Sequence, residues 1–594
     1  MRFWKKIQRL GKFRRVTWLA FASGVALALA YPSFDFNLLA WIALMPLAWI
    51  VVADAARERG AEKSETKPHW ARDAFKLGFA AGFAFHVVGL YWLLAIPVTW
   101  GFKVLLFFGY LLLAAYLAVY FGAWTAAFAS LVRGVGFTSA WHRIAVCFFA
   151  AAIWVALEWV RSWMLGGFPW NFLGVSQYQL IAVIQLAQWT GVYGVSALVC
   201  FVNIALMFTA RRFWVRMRGG RGGAGEREHG RMGETAKRAA SFSDFGSQIS
   251  WEFTIAMLMM MGLVMFSVRS MTQDAADASR PLSVALVQGN VKQELKWDDS
   301  QGPQILDDYK RLTLQAGAAS PHLIVWPETA TPPPDFALRV VHEGDAHTRE
   351  LKYLRVPYDL VTSLAQETRA ALLVGSIDVV AEREPPKTKA MYNAAFLIEP
   401  DKALTEPYRK MRLVPFGEYV PLSKWLPFMK WLTPIQGGFA AGDDFTIFPL
   451  NNASASFGAV ICFEDIMPDH CREFAARGAD FLVTITNDAW FGRTAGAYQH
   501  AANSVFRTVE NQRPLLRCAN TGMTCVVDAR GRIVKILEGA PQEKIFVQGV
   551  LTHTLRLPEN PPTTFYTRHG NVFAWSCVAL SALVVAFCTW RRQG

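Results

Sequence analysis

The sequence predicts two fold classes in one chain. One is a polytopic α-helical membrane bundle of about eight transmembrane helices; the other is a layered α/β domain on the outer side of that membrane. Three observations predict this. Hydrophobic residues make up 53% of the 594 and charged residues only 18%, with 23 Trp and 43 Phe, and apolar surface on that scale needs a lipid partner. The apolar residues gather into runs of the length a bilayer core requires, about 20 residues per helix. Between the last two runs lies a long segment of another character, in which β-type runs alternate with turns and helical stretches.

Eight runs qualify, at 16–32, 37–54, 75–96, 103–131, 144–160, 184–209, 252–269 and 571–590. The fifth is short and carries Glu158, an ionisable group that marks function by default inside a membrane, with Arg161 one turn on as its expected partner. A basic arm, KK at 5–6 and RR at 14–15, precedes the first run in the manner of a signal peptide. A second run follows within a few residues, so the first reads as an uncleaved helix. The arm places the N-terminus inside. Loops 57–74, 132–143 and 210–251 are then cytoplasmic, and all three are basic, with nine Lys or Arg between 211 and 238. The loops near 33–36 and 97–102 are almost uncharged, and the tail WRRQG returns inside. The net charge of +14 is therefore topological, gathered beside apolar runs, and does not describe a nucleic-acid face. Gly/Arg-rich 218–233 reads as a flexible linker.

The alternation puts 270–570 outside. Expected strands there are 282–288, 322–327, 371–377, 393–399, 457–463, 481–487, 514–520 and 524–529, separated by helical stretches near 304–317, 358–368 and 497–511. Several of these strands are apolar on both faces, as strands covered by helices are. The expected divisions are 1–272 for the first seven helices, 280–555 for the layered domain, and 570–594 for the last helix and its tail.

Three polar groups sit at strand ends of the outer domain. Glu328 follows an apolar run and a proline in VWPETA, Lys410 and Glu418 share the loop YRKMRLVPFGEYVP, and Cys462 ends the small-apolar run of FGAVICFED. Ligands of α/β sheets bind outside the carboxyl ends of strands. A thiol becomes a nucleophile near neutral pH only beside a base or a cation. A carboxylate can take its proton, and an ammonium can hold the oxyanion of acyl transfer. On the residues alone, plainer readings stand beside these: Cys462 as an inert buried thiol, Glu328 as a turn cap, Lys410 as surface charge with Lys402, Arg409 and Arg412. A papain-like pairing of Cys462 with His500 is a further alternative, set against which His500 opens a helical pattern rather than ending a strand. Cys471 reads as structural. Of eight cysteines, Cys147, Cys200, Cys577 and Cys588 lie in apolar runs. The other four, Cys462, Cys471, Cys518 and Cys525, form no CxxC pair and no zinc-like spacing, and a disulfide among them stays open.

WPE, the K-x-x-LVPFGEYVP segment and ICFED, in this order and spacing, resemble the Glu-Lys-Cys triad of the nitrilase superfamily. More narrowly, the chain resembles the apolipoprotein N-acyltransferases. VQGNVKQELKWD (287–298), MYNAA (391–395), TNDAWFG (486–492), AYQH (497–500) and RPLLRCANTGMT (513–524) carry that likeness, with GGFPWNFLGVSQY (166–178) in the membrane half. The resemblance implies a nitrilase-like αββα sandwich with Cys462 as nucleophile, Glu328 as general base and Lys410 as oxyanion stabiliser. It implies Glu418 holding or tuning the lysine, Glu464 and Trp297 at positions needed for activity, and Asn393 near the site. Phe463 stands where the family often has Tyr, keeping the ring and losing the hydroxyl. The implied reaction moves an acyl chain from a membrane phospholipid, through a Cys thioester, to the α-amine of a diacylglyceryl-cysteine on apolipoproteins. No metal or organic cofactor is implied, and the implied setting is the bacterial inner membrane with the catalytic domain in the periplasm. The rivals are a membrane-tethered nitrilase-type amidase and a non-catalytic membrane scaffold or transporter.

Overall fold

A computed structural model describes residues 16–60, 69–98, 100–222, 250–273, 279–296, 298–331, 339–343, 349–353, 355–382, 388–401, 405–420, 423, 425, 438–540 and 542–591. Six helices among them are long and apolar enough to cross a membrane: Asn37–Glu58, Gly101–Gly134, Ala140–Arg161, Val192–Met217, Trp251–Ser270 and Val572–Trp590. The other two expected runs are helical but weaker as spans. Val16–Ala28 is short, and Trp70–Gly89 carries Arg72, Asp73 and Lys76 in its first turns, which thins its apolar stretch. The expected 184–209 helix starts only at Val192. Gly191 has φ +65 and a Cβ there would meet the Tyr566 ring at 2.7 Å, so the chain turns at Gly191 and the residues before it form two single helical turns.

Small residues let these helices approach closely, as membrane bundles require. A Cβ on Gly24 would lie 1.9 Å from the Ala81 carbonyl oxygen, and one on Gly78 would lie 2.2 Å from Thr125 Oγ1. Ion pairs gather beside the expected basic loops. Arg133 pairs with Asp54 at 3.0 Å and Glu58 at 2.8 Å, and Arg143 pairs with the buried Glu252 at 2.8 Å. These residues border the segments expected to be the basic loops. Glu158 is also buried, beside its expected partner Arg161 in one cavity lining, but its hydrogen bonds come from other groups. Its Oε1 accepts from Trp154 Nε1 at 2.9 Å and Leu173 N at 2.7 Å, whereas Arg161 reaches His86 Nε2 at 3.4 Å and lies over the Phe172 ring.

Fourteen strands are seen among the described residues: β1 (Ser279–Gln288), β2 (Leu323–Val325), β3 (Arg339–Glu343), β4 (Arg349–Tyr353), β5 (Ala371–Glu382), β6 (Thr388–Ile398), β7 (Tyr408–Arg409), β8 (Ile447–Leu450), β9 (Ala455–Ile461), β10 (Phe481–Thr486), β11 (Leu515–Ala519), β12 (Cys525–Val527), β13 (Ile533–Ile536) and β14 (Gly549–Pro558). They form two sheets. One runs β14-β1-β2-β5-β3-β4, with β6 on β5 and β7 on β6; the other runs β13-β12-β11-β10-β9-β8. Each has a parallel centre and antiparallel flanks: β1, β2 and β5 run parallel, as do β9, β10 and β11.

The period-2 alternation of strand side chains sorts the layers. In the first sheet Ala285, Val287, Ile324, Leu372 and Val374 pack under the helices Gly302–Gly317 and Arg355–Thr368, through Ile305, Tyr309, Leu312, Val361 and Leu364. Their neighbours Val284, Leu286, Val325 and Leu373 face the other way, into a core shared with Ala459, Ile461, Val483 and Leu516 of the second sheet. The helices Pro468–Ala476 and Ala495–Asn511 cover the far face of that sheet. The order of layers is helix, sheet, sheet, helix, as the resemblance implies. All eight cysteines are free thiols.

Every expected strand is present, and β3, β4, β7, β8, β13 and β14 are additional. The stretch expected as a strand to residue 463 stops at Ile461: Cys462 has φ +52 and opens a short 3₁₀ turn, Cys462–Ile466. The Pro468–Ala476 helix, which carries Cys471, is also additional.

Candidate active site

Two parallel strands deliver the first residues. After β2 the chain continues as Trp326–Pro327–Glu328, and Thr329 at φ +43 turns it sharply. After β9 it reaches Cys462 in the same left-handed region, a conformation that costs a non-glycine residue energy and clusters at functional sites. Asn393 comes from β6, and Lys410 follows β7, its N–H donating to the Asn393 carbonyl at 2.8 Å.

These segments bring a polar cluster together. Lys410 Nζ donates to Glu418 Oε1 at 2.8 Å and to Glu328 Oε1 at 3.4 Å. Asn393 Nδ2 donates to the same two oxygens, at 3.1 Å to Glu418 and 2.7 Å to Glu328. Glu328 Oε2 accepts from the Asn487 N–H at 2.8 Å, and Glu418 Oε2 from the Val414 N–H at 2.9 Å. All four side chains are buried, so the ammonium is held between two carboxyl groups by charge-assisted hydrogen bonds away from water.

Electrostatics link Cys462 to this cluster. Burial pushes its thiol well above the usual range, the Glu328 carboxylate adds to the rise, and the Lys410 ammonium opposes it. The resting group is therefore the thiol. Burial alone would lower the Lys410 ammonium, but Glu418, Glu328 and Cys462 outweigh it and hold the lysine above its ordinary value. Lys410 stays charged at any pH the protein meets. A protonated thiol, an adjacent carboxylate and a fixed cation can together form a thiolate and receive a developing oxyanion.

The remaining expected residues fall in different places. Glu464 faces away from the carboxylate cluster. Its Oε1 accepts from Tyr408 OH at 2.7 Å, Met411 N at 2.7 Å and Arg412 N at 3.0 Å, and its Oε2 from Ile461 N at 2.8 Å. It ties the Cys462 turn to the chain that carries Lys410. Phe463 packs with Leu90, Trp92, Tyr110 and Trp170 of the membrane half. Trp297 lies outside the described residues. His500 donates toward the Cys462 carbonyl oxygen at 3.2 Å, which is a main-chain contact and not the thiol contact of a papain-like pair. Cys471 is buried on its helix.

Sequence reasoning passed over Lys296 and Asn487. Lys296 is buried, its Nζ donates to the Glu328 carbonyl oxygen at 2.7 Å, and burial pushes its pKa down to about 8 against the pull of Glu328 and Cys462. A lysine in a mixed polar segment carries no signal that separates it from a solvated one. Asn487 acts through its main chain on Glu328, while its side chain bonds Gln293 Oε1 at 2.8 Å; its place directly after an apolar strand was the available signal.

Comparison with known proteins covers both halves. Residues 23–205 match the family model of the apolipoprotein N-acyltransferase N-terminal domain, and residues 283–558 match that of carbon-nitrogen hydrolase. A protein of Geobacter metallireducens named apolipoprotein N-acyltransferase is 34% identical over 588 residues, 98% of this chain and 96% of that one. One of Allorhizobium ampelinum with the same name is 30% identical, covering 98% and 97%. Among solved structures, an amidase from Nesterenkonia is 17% identical over 48% of this chain and 92% of its own, with a TM-score of 0.31. A carbon-nitrogen hydrolase from Helicobacter pylori is 17% identical over 46% and 88%, with a TM-score of 0.33. The full-length relatives span the membrane helices and the layered domain in one alignment, and on that ground the chain belongs to the apolipoprotein N-acyltransferase family.

Proposed function

We propose that the protein transfers an acyl chain from a membrane phospholipid to the α-amine of a diacylglyceryl-cysteine at the N-terminus of apolipoproteins, with Glu328, Lys410 and Cys462 as its catalytic triad. The observation that carries the reading is the buried Glu328–Lys410 pair, coupled electrostatically to Cys462, on a turn whose next residue packs against the membrane half. Glu328 takes the thiol proton, and the thiolate attacks the ester carbonyl of the phospholipid. A carbon–sulfur bond forms and the oxyanion is held by Lys410. Collapse breaks the ester carbon–oxygen bond, the lysophospholipid oxygen takes the proton back from Glu328, and a thioester remains. The acceptor amine then attacks the thioester and gives its proton to Glu328. The carbon–sulfur bond breaks, and the thiolate recovers that proton.

The donor explains the helices. Each CH₂ withdrawn from hydrocarbon into water costs about 0.8 kcal/mol, so a phospholipid must be met at the bilayer rather than drawn out of it. The proposal sets the chain in a bacterial inner membrane as 1–272, 280–555 and 570–594, with the middle part on the periplasmic side, supported by the membrane-length helices and the basic loops between them. Mass spectrometry of the purified protein mixed with phospholipid tests the reading. The expected result is an acyl adduct on the Cys462 peptide, discharged by a diacylglyceryl-cysteine peptide and absent in Cys462→Ala. An adduct on Cys471, Cys518 or Cys525 overturns the site. Discharge by water alone, with free fatty acid released, makes the protein a hydrolase.

A further inference from the structure

Beneath the Cys462 turn lies a charged cluster for which the chemistry above has no task. His500 Nδ1 is 2.8 Å from Asp488 Oδ1, and its Nε2 is 2.9 Å from Asp465 Oδ1 and 3.2 Å from the Cys462 carbonyl oxygen. Arg517 of β11 closes the other side, with Nη1 2.5 Å from Asp465 Oδ2 and Nη2 2.9 Å from Asp488 Oδ2. Ser504 Oγ donates to Asp465 Oδ2 at 2.6 Å. All five side chains are buried. Two cations face two carboxylates, so the cluster is neutral when the imidazole is protonated. Burial works against that proton, but Asp465 and Asp488 overcome it and raise the pKa to about 9. An imidazolium donates from both nitrogens. The Cys462 carbonyl, and with it a turn at positive φ, is held by a charge-assisted bond.

The residue before it faces the membrane half. Gln499 Oε1 accepts from Trp92 Nε1 at 3.2 Å, Trp170 Nε1 at 2.8 Å and Asn171 Nδ2 at 3.2 Å, while its Nε2 donates to the carbonyls of Pro32 at 2.8 Å and Gly89 at 3.1 Å. Five bonds from one amide all end on the membrane half. The Trp170 ring also lies against the His500 ring, with centroids 5.5 Å apart. One helix therefore grips the membrane helices with one side chain and the nucleophile's main chain with the next.

We propose that Gln499 and His500 are positioning residues through which the seating of the outer domain on the membrane helices sets the reactive placement of Cys462. The inference rests on Cys462 being the nucleophile, as proposed above. It makes acyl-enzyme formation depend on a contact remote from both substrates' reacting atoms.

The test uses the full-length protein in lipid nanodiscs, comparing wild type with Gln499→Leu, His500→Gln, Trp170→Phe, and Trp170→Phe combined with Gln499→Leu. Three quantities are read: alkylation of Cys462 by iodoacetamide, the rate of the Cys462 acyl adduct against phospholipid concentration, and the melting curve. Adduct formation at saturating phospholipid is expected to slow about 10- to 100-fold in Gln499→Leu and His500→Gln, the scale of a small misplacement of reacting groups. Half-saturation should move less than about twofold, since uniform binding is untouched. Trp170→Phe keeps an aromatic ring but loses the indole N–H, so the hydrogen-bond part of its effect should vanish when added to Gln499→Leu. Alkylation and adduct rates equal to wild type overturn the proposal. So does slowing that merely follows the unfolded fraction at the assay temperature. Altered alkylation in the variants, with no acyl adduct in any protein, leaves the positioning intact and removes the acyltransferase reading instead.

Discussion

At the scale of single residues, Glu328 is asked to do the most. Its two oxygens accept from Asn393, Lys410 and Asn487, so replacement by Gln preserves shape, removes the charge and the proton acceptor, and sets an amide NH2 against one of these donors. Glu328→Gln should slow formation of the Cys462 adduct roughly 10²- to 10⁴-fold, the usual worth of general base catalysis, with phospholipid half-saturation nearly unchanged. Single-turnover mass spectrometry measures both. Legibility divides sharply at this scale. Glu328 and Cys462 were visible because each ends or follows an apolar strand within a recognisable string, whereas Lys410 and Glu418 stood in one loop from which the resemblance picked them out. Asn393 was visible only through the resemblance. Lys296 and the Asp465–His500–Asp488–Arg517 cluster were not legible, because a buried charge is defined by partners that are remote in sequence.

Elements show where periodicity suffices and where it fails. Long strands with apolar residues on both faces, such as β10, were read directly, and so were the amphipathic helices Gly302–Gly317 and Ala495–Asn511. β7 and β8 were missed because two to four residues hold no period, and the Pro468–Ala476 helix because nine residues hold hardly more. That helix seats on β9 through a glycine: a Cβ on Gly458 would lie 2.4 Å from Phe474 Cδ1. Gly458→Val should destabilise the outer domain by about 1–3 kcal/mol or more, the cost of overpacking a filled core, read as a lowered melting temperature. The Ala495–Asn511 helix supplies a pH prediction. His500 has a folded pKa of about 9 against an ordinary 6.5. Its contribution is complete below the ordinary value and is lost as pH rises through about 9. The loss is on the order of 3 kcal/mol. Melting temperature should fall from pH 7 to pH 10 in the wild type, and His500→Gln should show a shallower slope.

For the whole molecule, hydropathy located the membrane half, and the charge alternation assigned sides before any packing was known. The described ion pairs Arg133–Asp54 and Arg143–Glu252 lie together at one end of the bundle, next to the basic segments. What hydropathy did not show was the mounting of the outer domain, since nothing in an apolar run marks Trp92 and Trp170 as partners of Gln499. Sidedness is open to a direct check in a Cys462→Ala background, because the other seven native cysteines are buried. In intact spheroplasts a membrane-impermeant maleimide should label a cysteine at exposed Asn452 and spare one at exposed Thr138. The reverse pattern would remove the acceptor's route to Cys462.

The pairing of β1 with β14 carries a consequence for biogenesis. Ser279 aligns with Pro558 and Gln288 with Gly549 along ten residues, so the first strand of the sheet is completed by its last. The growing chain must leave the outer rim of β1 unpaired until some 260 further residues have been made. Such late closure is slow and leaves a sticky margin exposed. Release of the polypeptide anywhere before residue 549 strands that margin, so the sheet cannot be sealed until nearly the whole protein has been made.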